Sequence, residues 1–266
     1  MTRGSTSRSL MATAICAALY AVGCYSTAYI PSPWGFGQFR PAVIIPALFA
    51  TIFGPLPAAV GAAIGTLIAD SVKHGCLYLG SLIAAVPGNF LGFYLFGWIL
   101  QRRFTWSRFI AASHLTLTLA NLLVAALYIL VFKVLYLGQL RLPLNALIFL
   151  IFGLTIWWFV TMLPFVLLVT PPLIRAVASA YPSLVPEEVA HHTLREELPE
   201  RWFALSMIIP GVAMVLLGFS ITGTGLGAFI SGFFGSATRS LIEAMTYLSG
   251  GALTLIGALF LLQRGR

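Results

Sequence analysis

Apolar residues run along this chain in long continuous blocks, broken at Pro, Gly and charged positions rather than by regular alternation. A block of roughly 20 apolar residues crosses a bilayer as a helix, whereas the strands of a membrane barrel would alternate. The blocks predict helices over 9–30, 41–53, 56–72, 76–100, 109–137, 144–169, 203–221 and 241–263. The second is short for a full crossing, so it is expected to tilt or to continue into the loop before it. Gly54-Pro55-Leu56-Pro57 makes the turn into the third, with prolines suited to a helix start. The 138–143 stretch is a turn before the sixth, and Pro171-Pro172 are expected to close that helix. Residues 223–236 are apolar but Gly-rich and read as a loop or a partial re-entrant turn. The fold class is therefore all-α, a polytopic membrane protein. A six-helix domain is expected over 1–177, an acidic linker over 178–201, and two additional transmembrane helices over 202–266.

Composition sharpens this reading. The chain is 59% hydrophobic and 8% charged, with a mean hydropathy of +0.97. A soluble domain carries about a quarter charged residues, so hydrocarbon must replace water over most of this surface. A cleavable signal peptide competes for the first block, because Ser26-Thr27-Ala28 resembles a cleavage site. The block is long for a signal core, and an uncleaved first helix is the preferred reading. The formal charge of +8 bears first on topology, since Lys and Arg are retained on the cytoplasmic side. Placing the N-terminus inside puts ten basic residues in the cytoplasm and five outside, which supports cytoplasmic N- and C-termini. No basic cluster on a soluble face supports a nucleic-acid partner. Cys16, Cys24 and Cys76 fit no metal-ligand spacing and read as small core residues.

Candidate chemistry gathers at one end of the predicted bundle. The 31–40 loop, PSPWGFGQFR, carries Trp34, Gln38, Phe39 and Arg40. These are either an interfacial belt or the inner face of a loop capping a binding site. Asp70 is the one carboxylate within the first six spans. Near a membrane it needs a partner, and Lys73 or His74 supplies one by spacing; the alternative is a ligand-binding or loop-holding role. Asn89, Asn121 and Asn145 sit in or at the ends of apolar helices, either as interhelical glue or facing a polar interior. Trp157-Trp158 reads as packing, with a stacking platform as the alternative. Small residues recur at four-residue spacing as Ala14/Ala18, Ala17/Ala21, Ala58/Ala62 and Gly61/Gly65, which permits close helix approach. His191-His192 project about 100° apart on a helix, with no third ligand in view, so a solvated linker is preferred over a metal site. HExxH, GxSxG and P-loop motifs are absent, and no enzyme or cofactor is expected.

At 39–71 the chain resembles the substrate-binding S component of energy-coupling factor (ECF) transporters. The matching residues are Ala47-Leu48-Phe49, Phe53-Gly54-Pro55, Gly61, Gly65 and Asp70-Ser71. Leu119-Ala120-Asn121 and Asn145-Ala146 agree more loosely, and Ala14/Ala18 resembles the family's stripe for docking on a transmembrane coupling subunit. The resemblance implies a six-helix binding protein for a vitamin or precursor, working with that coupling subunit and two ATPase subunits in the plasma membrane. It also implies a solute held in the outer half, under the loop after the first helix. The chain departs from the pattern by its linker and extra helices, and by Thr66 where the family often has histidine.

The leading expectation is an ECF S component that captures a small organic solute. Trp34, Gln38, Phe39, Arg40, Asp70, Lys73, His74, Asn89, Asn121 and Asn145 are its candidate solute-binding residues, and Ala14 and Ala18 its partner-binding residues. A stand-alone carrier without ATPase partners and a non-transport membrane scaffold remain the alternatives.

Overall fold

The structure is a computed structural model describing residues 3–101, 103–187, 189 and 200–262. Helix α1 (Arg3–Ser26) is followed by a short hairpin-like loop and a 3-10 turn (Pro41–Val43) leading into α2 (Ile44–Phe53). Then come α3 (Pro55–His74), α4 (Val86–Gln101), α5 (Trp106–Ala126) and α6 (Leu144–Ala180). Two stretches are π-helical, Ser81–Ala85 before α4 and Leu127–Tyr136 after α5. The extension is α7 (Glu200–Gly223), α8 (Gly225–Phe234) and α9 (Ser236–Leu262). Among the described residues, seven helices are long and apolar enough to cross a membrane.

Short helix α2 is shaped at both ends. Arg40 and Pro41 start its 3-10 entrance, and Gly54 stops it with a φ of +84°, where a side chain would be strained. Pro55 then opens α3 at a position that needs no amide hydrogen. The paired glycines serve packing as expected: a Cβ at Gly61 would lie 2.7 Å from that of Cys16, and one at Gly65 2.7 Å from the Ala17 carbonyl oxygen. Helix α1 is thus a wall of the bundle, with Cys16, Tyr20 and Cys24 fully enclosed. Ala14 and Ala18 lie on its opposite, exposed face.

Four sequence-based expectations need correction. Helix α6 runs through Pro164, Pro171 and Pro172 instead of stopping at 169. Proline is tolerated in membrane helices because neighbouring groups satisfy the freed carbonyls. At about 1.5 Å per residue the 37 residues of α6 reach about 55 Å, so part of it extends beyond a hydrocarbon core of about 30 Å. The 225–234 part of the Gly-rich stretch is helical, capped by the Thr224 hydroxyl accepting from the Leu226 amide at 3.2 Å. Helix α1 ends at Ser26 rather than 30, because Thr27 turns its hydroxyl to the Phe39 carbonyl at 2.7 Å and joins the loop. Cys76 is exposed, since it lies in the turn between α3 and the π-helical stretch.

The extension forms its own tight hairpin. A Cβ at Gly250 would lie 2.7 Å from the Gly211 oxygen, so α7 and α9 touch backbone to backbone, as small residues permit. It meets the six-helix body where Phe149 of α6 packs edge-on against Phe229, and where the Ser206 carbonyl lies 3.0 Å from Nε2 of His114 on α5. The part of the linker that carries His191 and His192 lies outside the described residues.

Candidate functional site

The loop between α1 and α2 folds back on itself. The Phe39 amide donates to the Ile30 carbonyl at 2.9 Å and the Ser32 amide to the Gly37 carbonyl at 3.3 Å, bridging Pro31 to Gln38. Gly37 has a φ of +71°, and its bare Cα lies against the ring of Trp158, where any side chain would collide. The Trp158 indole donates to the Gln38 carbonyl at 3.0 Å, fixing the loop from below. Helix α6 therefore holds the loop as a roof over the centre of the six-helix body.

Beneath the roof lies a cavity of about 190 Å³. Its upper wall is a connected polar network. Asp70 Oδ1 accepts from Arg40 Nη2 at 2.6 Å and from Gln38 Nε2 at 2.7 Å. Gln38 Oε1 accepts in turn from Lys73 Nζ at 2.8 Å, and Lys73 also donates to the Ala28 carbonyl at 2.5 Å. Arg40 donates its other terminal nitrogen to the Thr66 hydroxyl. Both of these bonds fall on one oxygen, and the Ser81 hydroxyl also faces the carboxylate. Burial by itself would lower the pKa of Arg40, but the Asp70 carboxylate, with Cys24 and Tyr20 assisting, outweighs it and raises the value. The guanidinium is permanently charged, and Asp70 is its counter-ion.

The lower wall is mixed. Asn89 donates to the Ala85 carbonyl at 2.8 Å and faces the Tyr20 hydroxyl at 3.4 Å. Asn121 is buried with only a weak contact to the Met162 sulfur at 3.7 Å, so most of its hydrogen-bonding capacity is unused. The two π-helical stretches pack together here and bring Ser81 and Tyr128 to the cavity. The Ser81 hydroxyl is buried and faces the Asp70 carboxylate. Single π turns recur at functional sites because they re-aim side chains out of helical register. Tyr78 stacks on His74 with ring centres 3.8 Å apart, and its hydroxyl meets that of Tyr128 at 3.0 Å. Burial raises the pKa of the Tyr78 phenol, which stays neutral.

Seven of the ten candidate solute-binding residues line this cavity: Gln38, Arg40, Asp70, Lys73, His74, Asn89 and Asn121. Three do not. Trp34 turns outward over Gly153 into a second, apolar crevice of about 80 Å³ between α6 and the extension. Phe39 alternates to the far side of the loop and meets Phe165 edge-on at 5.7 Å. Asn145 is exposed at the start of α6, where its Oδ1 accepts the Ala146 amide at 2.9 Å. The partner of Asp70 is also corrected: Arg40, thirty residues away, makes the ion pair. Lys73 reaches Asp70 only through Gln38, and His74 Nδ1 approaches the Asp70 backbone oxygen at 2.7 Å. Trp158, read chiefly as packing, both packs and lines the cavity. Tyr20, Ser81 and Tyr128 were missed. Tyr20 could have been found as the polar residue on the small-residue face of α1, but the π turns leave no simple sequence signal.

The model of the ECF-type riboflavin transporter S component matches this chain over residues 4–178. No curated protein and no solved structure matches it. The matched segment covers α1 to the end of α6 and contains every residue of the cavity. Among the described residues, no cluster of His, Cys, Asp or Glu could hold a metal ion.

Proposed function

The chain belongs to the S-component family of ECF-type riboflavin transporters, and on that premise we propose that it captures a vitamin-like solute, riboflavin being the first to test, from outside the plasma membrane. S components are substrate-binding subunits and not enzymes. The observation that carries the reading is the roofed cavity, with a buried ion pair above and a largely unpaired Asn121 amide below. A concave site with a few convergent polar groups on apolar walls is the usual form of a small-molecule site. Its volume of about 190 Å³ lies below the range of about 300–1,000 Å³ for ligand pockets.

The basic-residue count supports cytoplasmic termini and an outward-facing roof. ATP-driven delivery then requires a transmembrane coupling subunit and two ATPase subunits. The exposed Ala14/Ala18 stripe on α1 is the proposed docking face, since small residues allow close helix approach.

Expression with coupling and ATPase subunits tests the reading. Co-purification, together with a small molecule retained by the purified protein and identified by mass spectrometry, is the expected result. Well-folded protein that recruits no partner and retains or binds no solute would overturn it.

A further inference from the structure

Resting on the solute-binding reading, we infer that the cavity selects a solute bearing an oxyanion, a carboxylate or phosphate monoester, over its neutral counterpart. The roofed end of the bundle carries Arg40, Lys73, Lys133, Arg141 and Arg239, but its described acids are Asp70 and Glu243. Arg40 pairs with Asp70 at 2.6 Å, and Arg239 with Glu243 at 2.8 Å. Lys73, Lys133 and Arg141 are left without a carboxylate partner among the described residues. Lys73 is the one of these three that lines the cavity.

The surroundings of Lys73 are those of a cation awaiting an anion. Two of its three N–H donors go to neutral acceptors, the Ala28 carbonyl and Gln38 Oε1. The Tyr29 ring lies 5.6 Å from Nζ, which favours positive charge without neutralising it. Asp70 is three residues away, but it is occupied by Arg40 and separated from the ammonium by the Gln38 amide. The third donor is free for a solute oxygen. Lys133 stands at the rim, with Nζ 5.6 Å from the Phe36 ring of the roof and 3.3 Å from Gln139 Oε1. Cations at this end run against the bias that removes Lys and Arg from outer segments. With Asp70 paired to Arg40, the charged lining of the cavity is net positive through Lys73, and a net charge between low-dielectric walls concentrates ions of the other sign.

The test uses the purified full chain and matched pairs: riboflavin and its 5′-phosphate, pantothenol and pantothenate, nicotinamide and nicotinate. Thermal shift and equilibrium binding are read at low and high salt. The expected result is that, in the pairs that bind, the anion binds about ten-fold or more tightly, with the preference shrinking as salt rises. The phosphate and carboxylate arms show which oxyanion the site takes. Lys73→Met should reduce the preference to about two-fold or less, while Lys73→Arg retains it. Neutral members that bind as tightly as their anions, or a preference that survives Lys73→Met, would overturn the inference while leaving solute binding intact. Failure of every compound, of either charge, to bind, in well-folded protein that recruits no partner and retains no small molecule, would overturn the solute-binding reading and this inference with it.

Discussion

Two hollows flank the 31–40 loop, and they are built on opposite principles. Under the loop, the polar groups of Arg40, Gln38, Asp70 and Lys73 hold one another in a continuous network around a cavity of about 190 Å³. Beside it, the Trp34 crevice of about 80 Å³ is lined by side chains such as Phe149, Phe152 and Ile156, and the Trp34 indole N–H is buried there without a partner. Polar groups in a low-dielectric interior are costly unless paired. A network that satisfies most of its polar groups yet leaves the Lys73 charge without a counter-ion marks a place prepared for a ligand. One orphaned N–H among aromatic and aliphatic walls marks a packing joint. Loop residues 34 and 38 thus do different work: one anchors the roof against α6 and the extension, and the other forms its ceiling.

The sharpest way to break this contrast is to cut the ion pair. Arg40→Met leaves the Asp70 charge buried without its counter-ion and should cost about 3–5 kcal/mol of stability, read by unfolding in detergent. The double variant Arg40→Met/Asp70→Leu should recover most of that loss yet bind solute poorly. A single variant as stable as the parent would show that the network is not the structural centre of the roof. Next in size, Asn121→Leu should weaken solute binding by about ten-fold while changing stability by less than about 1 kcal/mol, because its amide makes only the sulfur contact. The smallest effect is expected from Trp34→Phe, which removes the unpaired N–H and should raise the melting temperature slightly with solute affinity unchanged. If it weakened binding as much as Asn121→Leu, the two hollows would have to be treated as one site.

Most of the helices were legible because lipid enforces long apolar runs and the breaks fall at Gly and Pro. The block from Phe53 to Asp70 was legible for a second reason: Gly61 and Gly65 lie directly against α1, where a Cβ would come within 2.7 Å of Cys16 or Ala17. The Asp70 pairing was not legible. Spacing along a helix nominates Lys73, whereas the actual partner arrives on a loop whose fold depends on Trp158 of α6, 120 residues from the carbonyl it holds. Trp34 and Phe39 looked like site residues because they share a loop with Gln38 and Arg40. The hairpin alternates its side chains between faces, and that register cannot be read from composition. Pro171-Pro172 misled by the rule for soluble helices, which does not hold where neighbouring helices shelter the backbone.

Helix α2 acquires a mechanical meaning from its two ends. It is about 15 Å long, too short to be anchored across a bilayer, with a left-handed glycine turn at Gly54 and the charged tether of Arg40 one residue before its 3-10 entrance. That is a lever with its fulcrum on one side of the protein and its load point in the roof of the cavity. The Arg40 anchor on Asp70 and Thr66 and the Gly54 turn into α3 thus lie at the two ends of one short helix.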